Sequence, residues 1–170
     1  MTRAQELLSE LKLEAAVTRN YLQKVPFNNL DYKPNEKSET IGRLAVHVAE
    51  IIAWWKDVLT TNALDFINFE PKKFETNAQL LAYFDELLLE ATNVLMEAKE
   101  EDFEKEWQMK HGDTIYFTLS KKQSLRFFCM NHLVHHRAQL GVYLRLLNIA
   151  IPATYGPSAD DEDIILINKF

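Results

Sequence analysis

The sequence predicts an all-α protein, a four-helix bundle, and three observations support this fold class. Four long segments repeat apolar residues at the helical period. Only four glycines occur in 170 residues, roughly half the usual share, which disfavours β-sandwiches, Rossmann folds and P-loop enzymes. No internal repeat or sustained heptad is present, which excludes a helical repeat array and a coiled coil. The length suits a single domain covering residues 1–170.

The first two helices are predicted over residues 2–25 and 38–62. Pro26 ends the first, because proline is tolerated only in the first turn of a helix. The segment 27–37 is rich in asparagine and is predicted to be a loop. Ser38 is the expected N-cap of the second helix, since its hydroxyl can accept a hydrogen bond from a free amide of the first turn.

The third and fourth helices are predicted over residues 76–98 and 120–148. Between them, the segment 103–119 alternates apolar and polar residues, and His111-Gly112-Asp113 in its middle predicts a short hairpin. Gly141 lies inside the fourth helix, where it is expected to allow close packing of a neighbouring helix. The apolar run 164–167 follows an acidic segment and is expected to dock on the core or on a partner.

Composition and charge exclude several classes of function. The net charge is −6, so the chain offers no broad basic surface for nucleic acid. No stretch approaches the roughly 18 apolar residues that a membrane span needs, and the first residues are charged, unlike those of a signal peptide. Cys129 is the only cysteine, so an intrachain disulfide is impossible and a reducing compartment is expected. These features predict a cytoplasmic protein that binds neither nucleic acid nor membranes.

Three of the five histidines have the spacing of a metal site. His132 and His136 are four residues apart on the predicted fourth helix, so their side chains share one face and can reach one cation. His47 lies on the second helix beside its apolar stripe, where a buried imidazole needs a partner. Placed next to the pair, His47 completes three protein ligands with an open position, which is typical of catalytic zinc. His135 should lie at the edge of this face, about 100° from His136.

The spacing alone leaves a second interpretation open. Histidine pairs of this spacing also occur by chance, and His47 alone would be an ordinary hydrogen-bonded core residue. The segment between the pair, 133–135, contains no glutamate, which argues against a zincin peptidase. By helical geometry Arg137 and Arg145 face away from the histidine pair, and we expect them to be surface or tail-contact residues.

Four further residues are candidates for the surroundings of the site, each with a simpler alternative. Glu50 either accepts a hydrogen bond from a ligand histidine or is a solvated helix residue. Cys129 is either a fourth ligand or a small buried hydrophobic residue, and we favour the second. Trp54 either lines a substrate cleft near the histidines or packs in the core. Tyr143 either orients a water or substrate oxygen or is simply packed.

Two blocks of sequence carry a family resemblance. The first comprises residues 30–34 and 41–50, which read LDYKP and IGRLAVHVAE. The second and more specific block comprises residues 131–145 and 151–160, which read NHLVHHRAQLGVYLR and IPATYGPSAD. Together they resemble the DinB/YfiT-like family over nearly the whole chain. The resemblance implies up-down-down-up connectivity, frequent homodimers, and thiol-dependent S-transferase or isomerase activity in some members. It also implies a divalent metal held by three histidines, which match His47, His132 and His136.

The sequence therefore predicts a small metal-dependent enzyme of the thiol S-transferase or hydrolase type. We expect a small-molecule substrate, with a low-molecular-weight thiol as one candidate, and a homodimer. The metal, zinc or nickel, would act as a Lewis acid on water or on a thiol at the open position. The alternative is a non-catalytic dimeric interaction module in which the metal is structural or absent.

Overall fold

The computed structural model describes residues 1–160 of the chain. Within this part the chain is mostly helical, with four long helices and a small sheet of three strands. The first three helices are α1 (Arg3–Gln23), α2 (Ile41–Thr60) and α3 (Asn77–Glu97). The fourth, α4, is one continuous helix over residues 121–146. All four predicted helices are present, each within a few residues of its predicted ends.

Side-chain caps set where the helices begin. Thr2 with Gln5, and Thr76 with Gln79, form reciprocal capping boxes at the starts of α1 and α3. The predicted cap of α2 is wrong by two residues. Thr40 is the N-cap, because its hydroxyl accepts a hydrogen bond from the Arg43 amide at 3.2 Å. Ser38 instead closes the preceding turn, in which its amide donates to the carbonyl of Asn35 at 2.9 Å.

The sheet contains the predicted hairpin and one strand that was not predicted. Strands β2 (Glu106–His111) and β3 (Thr114–Ser120) pair antiparallel around a tight turn at Gly112. Gly112 has a φ of 57°, a left-handed conformation that glycine adopts without strain. Strand β1 (Ala63–Asp65) pairs parallel with β2, and the order is β1-β2-β3. A strand of three residues is too short to show an alternating pattern.

The helices enclose a single apolar core to which the sheet contributes. Helices α1 and α2 each pack against both α3 and α4. The largest fully buried apolar side chains come from both the helices and the sheet, and include Trp55 from α2, Phe84 from α3 and Trp107 from β2. Each of these aromatic side chains buries a large apolar area, so the sheet stabilises the helices although it is small. Within residues 1–160, no helix combines the length and apolar character needed to cross a membrane.

Helix α4 contains an irregular stretch that the sequence did not predict. The segment Leu125–Asn131 is π-helical, between α-helical segments Lys121–Ser124 and His132–Leu146. Three consecutive residues of this stretch, Phe128, Cys129 and Met130, are all buried, which a regular helix at a core boundary rarely allows. Wider helical turns of this kind are frequent at functional sites. This one ends immediately before the first histidine of α4.

The face of α4 that packs against α1 carries one buried charged residue. Arg137 was expected to be a surface or tail-contact residue; it does contact the segment after α4, but it is not at the surface, since it is only 2% exposed. Its guanidinium pairs with Glu14 at 2.7 Å and donates to Thr18 at 3.1 Å, both on α1. It also donates to the Tyr155 hydroxyl at 2.6 Å, which ties down the segment after α4. The four residues of this arginine cluster are Arg137, Glu14, Thr18 and Tyr155.

The segment that follows α4 is anchored to the helix. Arg145 pairs with Asp160 at 2.7 Å, as expected for a tail-contact residue, and Asp160 also accepts from the Ile151 amide. The predicted docking run, residues 164–167, lies outside the described residues.

Candidate metal centre

Three histidine side chains from two helices meet between α2 and α4. His47 comes from α2, and His132 and His136 come from consecutive turns of α4. One donor atom from each ring lies within 4.8 Å of the other two. The ring centroid of His47 lies 5.3 Å from that of His132 and 4.5 Å from that of His136. The predicted convergence of these three rings, the histidine cluster below, is therefore present.

The spacing of the donor atoms suits a single small cation. The Nε2 atoms of His47 and His132 are 3.3 Å apart. Two nitrogens bound at about 2.0–2.1 Å to one tetrahedral zinc ion lie roughly 3.3–3.4 Å apart. The donor set is three imidazoles with no carboxylate or thiolate among them, and imidazole suits zinc, copper and nickel. The residues present thus fit a divalent transition metal.

Burial keeps the three rings neutral, which is the state a metal ligand needs. Burial, together with the neighbouring charges of His136, His132 and Arg43, lowers the pKa of His47 to about 3. Burial, with a smaller contribution from the neighbouring histidines, likewise lowers the pKa of His132 to about 4. The pKa of His136 is also lowered by burial, although its hydrogen bond to Gln139 opposes the shift. At neutral pH each ring therefore has a nitrogen lone pair available.

Neighbouring side chains contact all three rings. The Nδ1 atom of His136 is 2.7 Å from the Gln139 side-chain oxygen, so Nδ1 carries the proton and donates it to that oxygen. The lone pair of Nε2 is therefore free to bind a metal. Trp54 contacts the rings of His47 and His132 edge to face and stacks on Phe128 at 4.5 Å. This aromatic wall excludes water from one side of the histidine cluster.

His47 is the least satisfied member of the cluster. Its Nδ1 atom is buried and has no hydrogen-bond partner among residues 1–160. Leaving a buried polar group unpaired costs about 1–3 kcal/mol, so such groups are rare in regions that serve stability alone. Glu50 does not supply the missing partner, which corrects the expectation that it supports a ligand histidine.

A cleft of about 440 Å³ opens beside the cluster. His47 and His136 line it, together with Gln139 and Tyr143 from α4. The hydroxyl of Tyr143 donates to the Glu39 carbonyl at 3.1 Å, so Tyr143 is both a wall residue and a packing residue. A small molecule that enters the cleft can therefore reach two of the three rings.

The other predicted residues have different roles. Trp54 is buried, and it contacts the histidine rings rather than lining the cleft. Cys129 is fully buried outside the group of donor atoms, and burial raises the pKa of its thiol, so the interpretation as a small hydrophobic residue holds. His135 is exposed at the edge of the histidine face, where it was predicted, and His111 in the hairpin turn is also exposed.

The interpretation of Glu50 as a solvated residue is also wrong, because its side chain is buried. One carboxylate oxygen accepts from Arg43 at 3.0 Å, and the other accepts from the Lys72 amide at 3.3 Å. Arg43 itself was missed. It lies four residues before His47 on the same helix and lines the same cleft, and that spacing was the signal in the sequence.

Comparisons with known proteins agree with this architecture. YrdA, an uncharacterized protein from Bacillus subtilis (strain 168), is 25% identical over 156 residues, which cover 91% of this chain and 89% of YrdA. The crystal structure of YjoA, a DinB-like protein from Bacillus subtilis, matches with a TM-score of 0.64 at 18% identity, covering 84% of this chain and 92% of YjoA. A DinB-like protein from Bacillus cereus ATCC 10987 matches with a TM-score of 0.65 at 16% identity, covering 89% and 97%.

At these identities the two crystal structures establish a shared fold and nothing about activity. The family assignment comes from the sequence, because the model of the DinB family matches residues 1–166. The chain belongs to the DinB family.

Proposed function

We propose that the protein binds one divalent metal ion, zinc or nickel, through His47, His132 and His136, and that it is a metal-dependent enzyme of the thiol S-transferase or hydrolase type. The observation that carries the proposal is the convergence of three neutral imidazoles on one point beside an open cleft. A structural site uses four protein ligands and is closed, whereas three ligands beside a cleft leave a position for a guest.

The metal, when bound, would supply Lewis acidity and lower the pKa of water or of a thiol at the open position. The chain supplies the surroundings. Gln139 keeps the proton of His136 on Nδ1, and the Trp54 ring shields His47 and His132 from water. Exclusion of water from one side of the site lowers the local dielectric constant and so strengthens electrostatic interactions within it. No carboxylate belongs to the donor group, so a general base is not part of the proposal.

Three further features complete the proposal. The contacts of α1 and α2 with both α3 and α4 support the up-down-down-up four-helix bundle that the family resemblance implies. The resemblance also supports a homodimer with a small-molecule substrate and, as one class of cosubstrate, a low-molecular-weight thiol. The single, fully buried cysteine supports a cytoplasmic location.

Metal analysis of the purified protein tests the first half of the proposal. We expect one zinc or nickel ion per chain, and a rise in melting temperature when either ion is added to metal-free protein. His47→Ala, His132→Ala and His136→Ala should each weaken binding on the order of 100-fold or more. His135→Ala is the matched control, because it removes an exposed imidazole from the same helix and should leave binding unchanged. Protein without stoichiometric metal, whose melting temperature neither ion moves, contradicts the proposal.

Turnover tests the second half. Metal-loaded protein is incubated with a chromogenic electrophile and a panel of small thiols, and in parallel with an activated ester. We expect one of these reactions to depend on the metal and to be lost in His136→Ala, but not in His135→Ala. Stoichiometric metal with no metal-dependent turnover in either assay favours the non-catalytic module instead.

A further inference from the structure

Arg43 is placed to meet a ligand in the cleft. It lies one helical turn before His47 on α2 and lines the cleft together with His47 and His136. Its side chain is 27% exposed, so it is open to a ligand but not free in solvent. Its positive charge also contributes to the lowered pKa of both His47 and His136, which reflects its closeness to their rings.

The guanidinium is held on one side only. Its Nη1 atom donates to the buried Glu50 carboxylate at 3.0 Å, and its central carbon lies 5.9 Å from the ring centroid of Phe69. A guanidinium has five N–H donors in a planar fork, and hydrogen bonds within residues 1–160 engage only Nη1. Glu50 is fixed in turn by the Lys72 amide. Arg43 is therefore oriented in advance and retains donors for a planar anion.

The charge balance of the cleft favours an anionic ligand. Three neutral imidazoles leave the full double charge of a bound divalent ion uncompensated. Arg43 and Lys37 add two cationic side chains to the lining, and Glu39 is the one acidic side chain among the described lining residues. Glu50 is already paired with Arg43.

We infer that Arg43 is a substrate-binding residue that selects ligands carrying a carboxylate, whose two oxygens pair with the free edge of the guanidinium while the other end of the molecule reaches the histidine cluster. This inference rests on the proposed function, because it takes the metal-loaded cluster as the second anchor. It names the substrate class, a small carboxylate-bearing molecule, and gives Glu50 the role of a positioning residue.

Two thiols of matched length test the inference. Cobalt(II)-loaded protein is titrated with 3-mercaptopropionate and with 3-mercapto-1-propanol, and the thiolate-to-cobalt absorption band reports binding of each. We expect the carboxylate thiol to bind roughly 10- to 100-fold more tightly. Arg43→Gln should remove most of this preference without weakening the binding of the neutral thiol. Arg126→Gln is the matched control, since it alters an exposed arginine on α4 and should keep the preference.

Arg43→Gln also leaves the buried Glu50 without its partner, so the double variant Arg43→Gln/Glu50→Gln removes both charges together. It should fold, bind cobalt and lack the preference. Glu50→Gln alone should reduce the preference while leaving the binding of 3-mercapto-1-propanol unchanged. Equal affinities for both thiols in the unaltered protein, or a preference that survives in the double variant, overturn the role of Arg43 and leave the metal site standing. If neither thiol produces the band although cobalt is bound, the inference fails together with the thiol S-transferase form of the proposed function, whereas the hydrolase form is tested separately by the activated ester.

Discussion

Two neighbouring residues of α4, His136 and Arg137, belong to polar clusters with opposite properties. Successive residues of a helix point about 100° apart, so His136 faces α2 and Arg137 faces α1. The guanidinium of Arg137 has carboxylate, carbonyl and hydroxyl partners within 3.1 Å. In the histidine cluster, a ring nitrogen of His47 is buried without a partner, and the rings face one another across a short gap.

This difference separates a structural cluster from a functional one. A buried polar group that is fully paired fixes the packing of two helices and has no donor or acceptor left for a ligand. The arginine cluster fits this description. The histidine cluster keeps lone pairs free and lies beside a cleft, an arrangement that lowers stability and is retained where a ligand is to be bound. Changes in the first cluster should therefore act on folding, and changes in the second on binding.

The largest effect on stability is expected from Arg137→Leu. The change leaves the Glu14 carboxylate without its cationic partner, with only the Tyr155 hydroxyl still donating to it, and breaking a buried ion pair costs about 3 kcal/mol or more. The melting temperature should fall by roughly 6–12 °C, while metal binding by the folded protein is unchanged. Arg126→Leu is the control, because its ion pair with Glu10 joins the same two helices but is exposed and should be worth less than about 1 kcal/mol. An equal fall in melting temperature in the two variants would show that burial does not increase the contribution of an ion pair to stability.

Lowering the pH should reduce the stability of metal-free protein through the histidine cluster. The folded-state pKa values of His47, about 3, and of His132, about 4, lie below the ordinary 6.5. Between these values and pH 6.5 the unfolded chain binds more protons, so stability is full above pH 6.5 and is lost as the pH falls towards 4. We expect metal-free protein to lose on the order of 2 kcal/mol between pH 7 and pH 4, after allowance for the partial exposure of His132.

Urea unfolding at a series of pH values measures this loss. In the double variant His47→Gln/His132→Gln the dependence should be much flatter, because the two titrating rings are gone. An unchanged slope in the double variant would assign the acid sensitivity to other groups.

A smaller loss of stability is expected from Gly141→Ala, on the side of α4 that faces α1. A Cβ atom at Gly141 would lie 3.0 Å from the Tyr21 ring, which is buried against it. Alanine favours a helix over glycine by about 1 kcal/mol, but overpacking costs about 1–3 kcal/mol, so we expect a net loss of about 1 kcal/mol. Gly156→Ala is the control, since nothing lies within 4 Å of its added Cβ. Stabilisation by Gly141→Ala, measured by thermal melting, would mean that Tyr21 moves aside freely.

The sequence by itself determined the features that depend on local spacing. The four helices followed from apolar periodicity, and the hairpin followed from alternation around Gly112. The shared face of His132 and His136 followed from a separation of four residues, which one helix enforces regardless of its surroundings. The convergence of His47 with this pair does not follow from spacing within one helix. It was predicted from the position of His47 beside the apolar stripe of α2 and from the family resemblance.

Only the tertiary structure decided which polar residues are buried and what pairs with them. Arg137 and Glu50 look like ordinary charged helix residues in the sequence. The partner of Arg137, Glu14, lies on another helix, and Glu50, which pairs with Arg43 on its own helix, is buried and bonded to the Lys72 amide only because of the packing. The π-helical stretch Leu125–Asn131 and the three-residue strand β1 also leave no periodic signal. The physical reason is common to all of these cases. Burial and pairing are set by contacts between elements far apart in the chain, whereas sequence patterns report the geometry within one element.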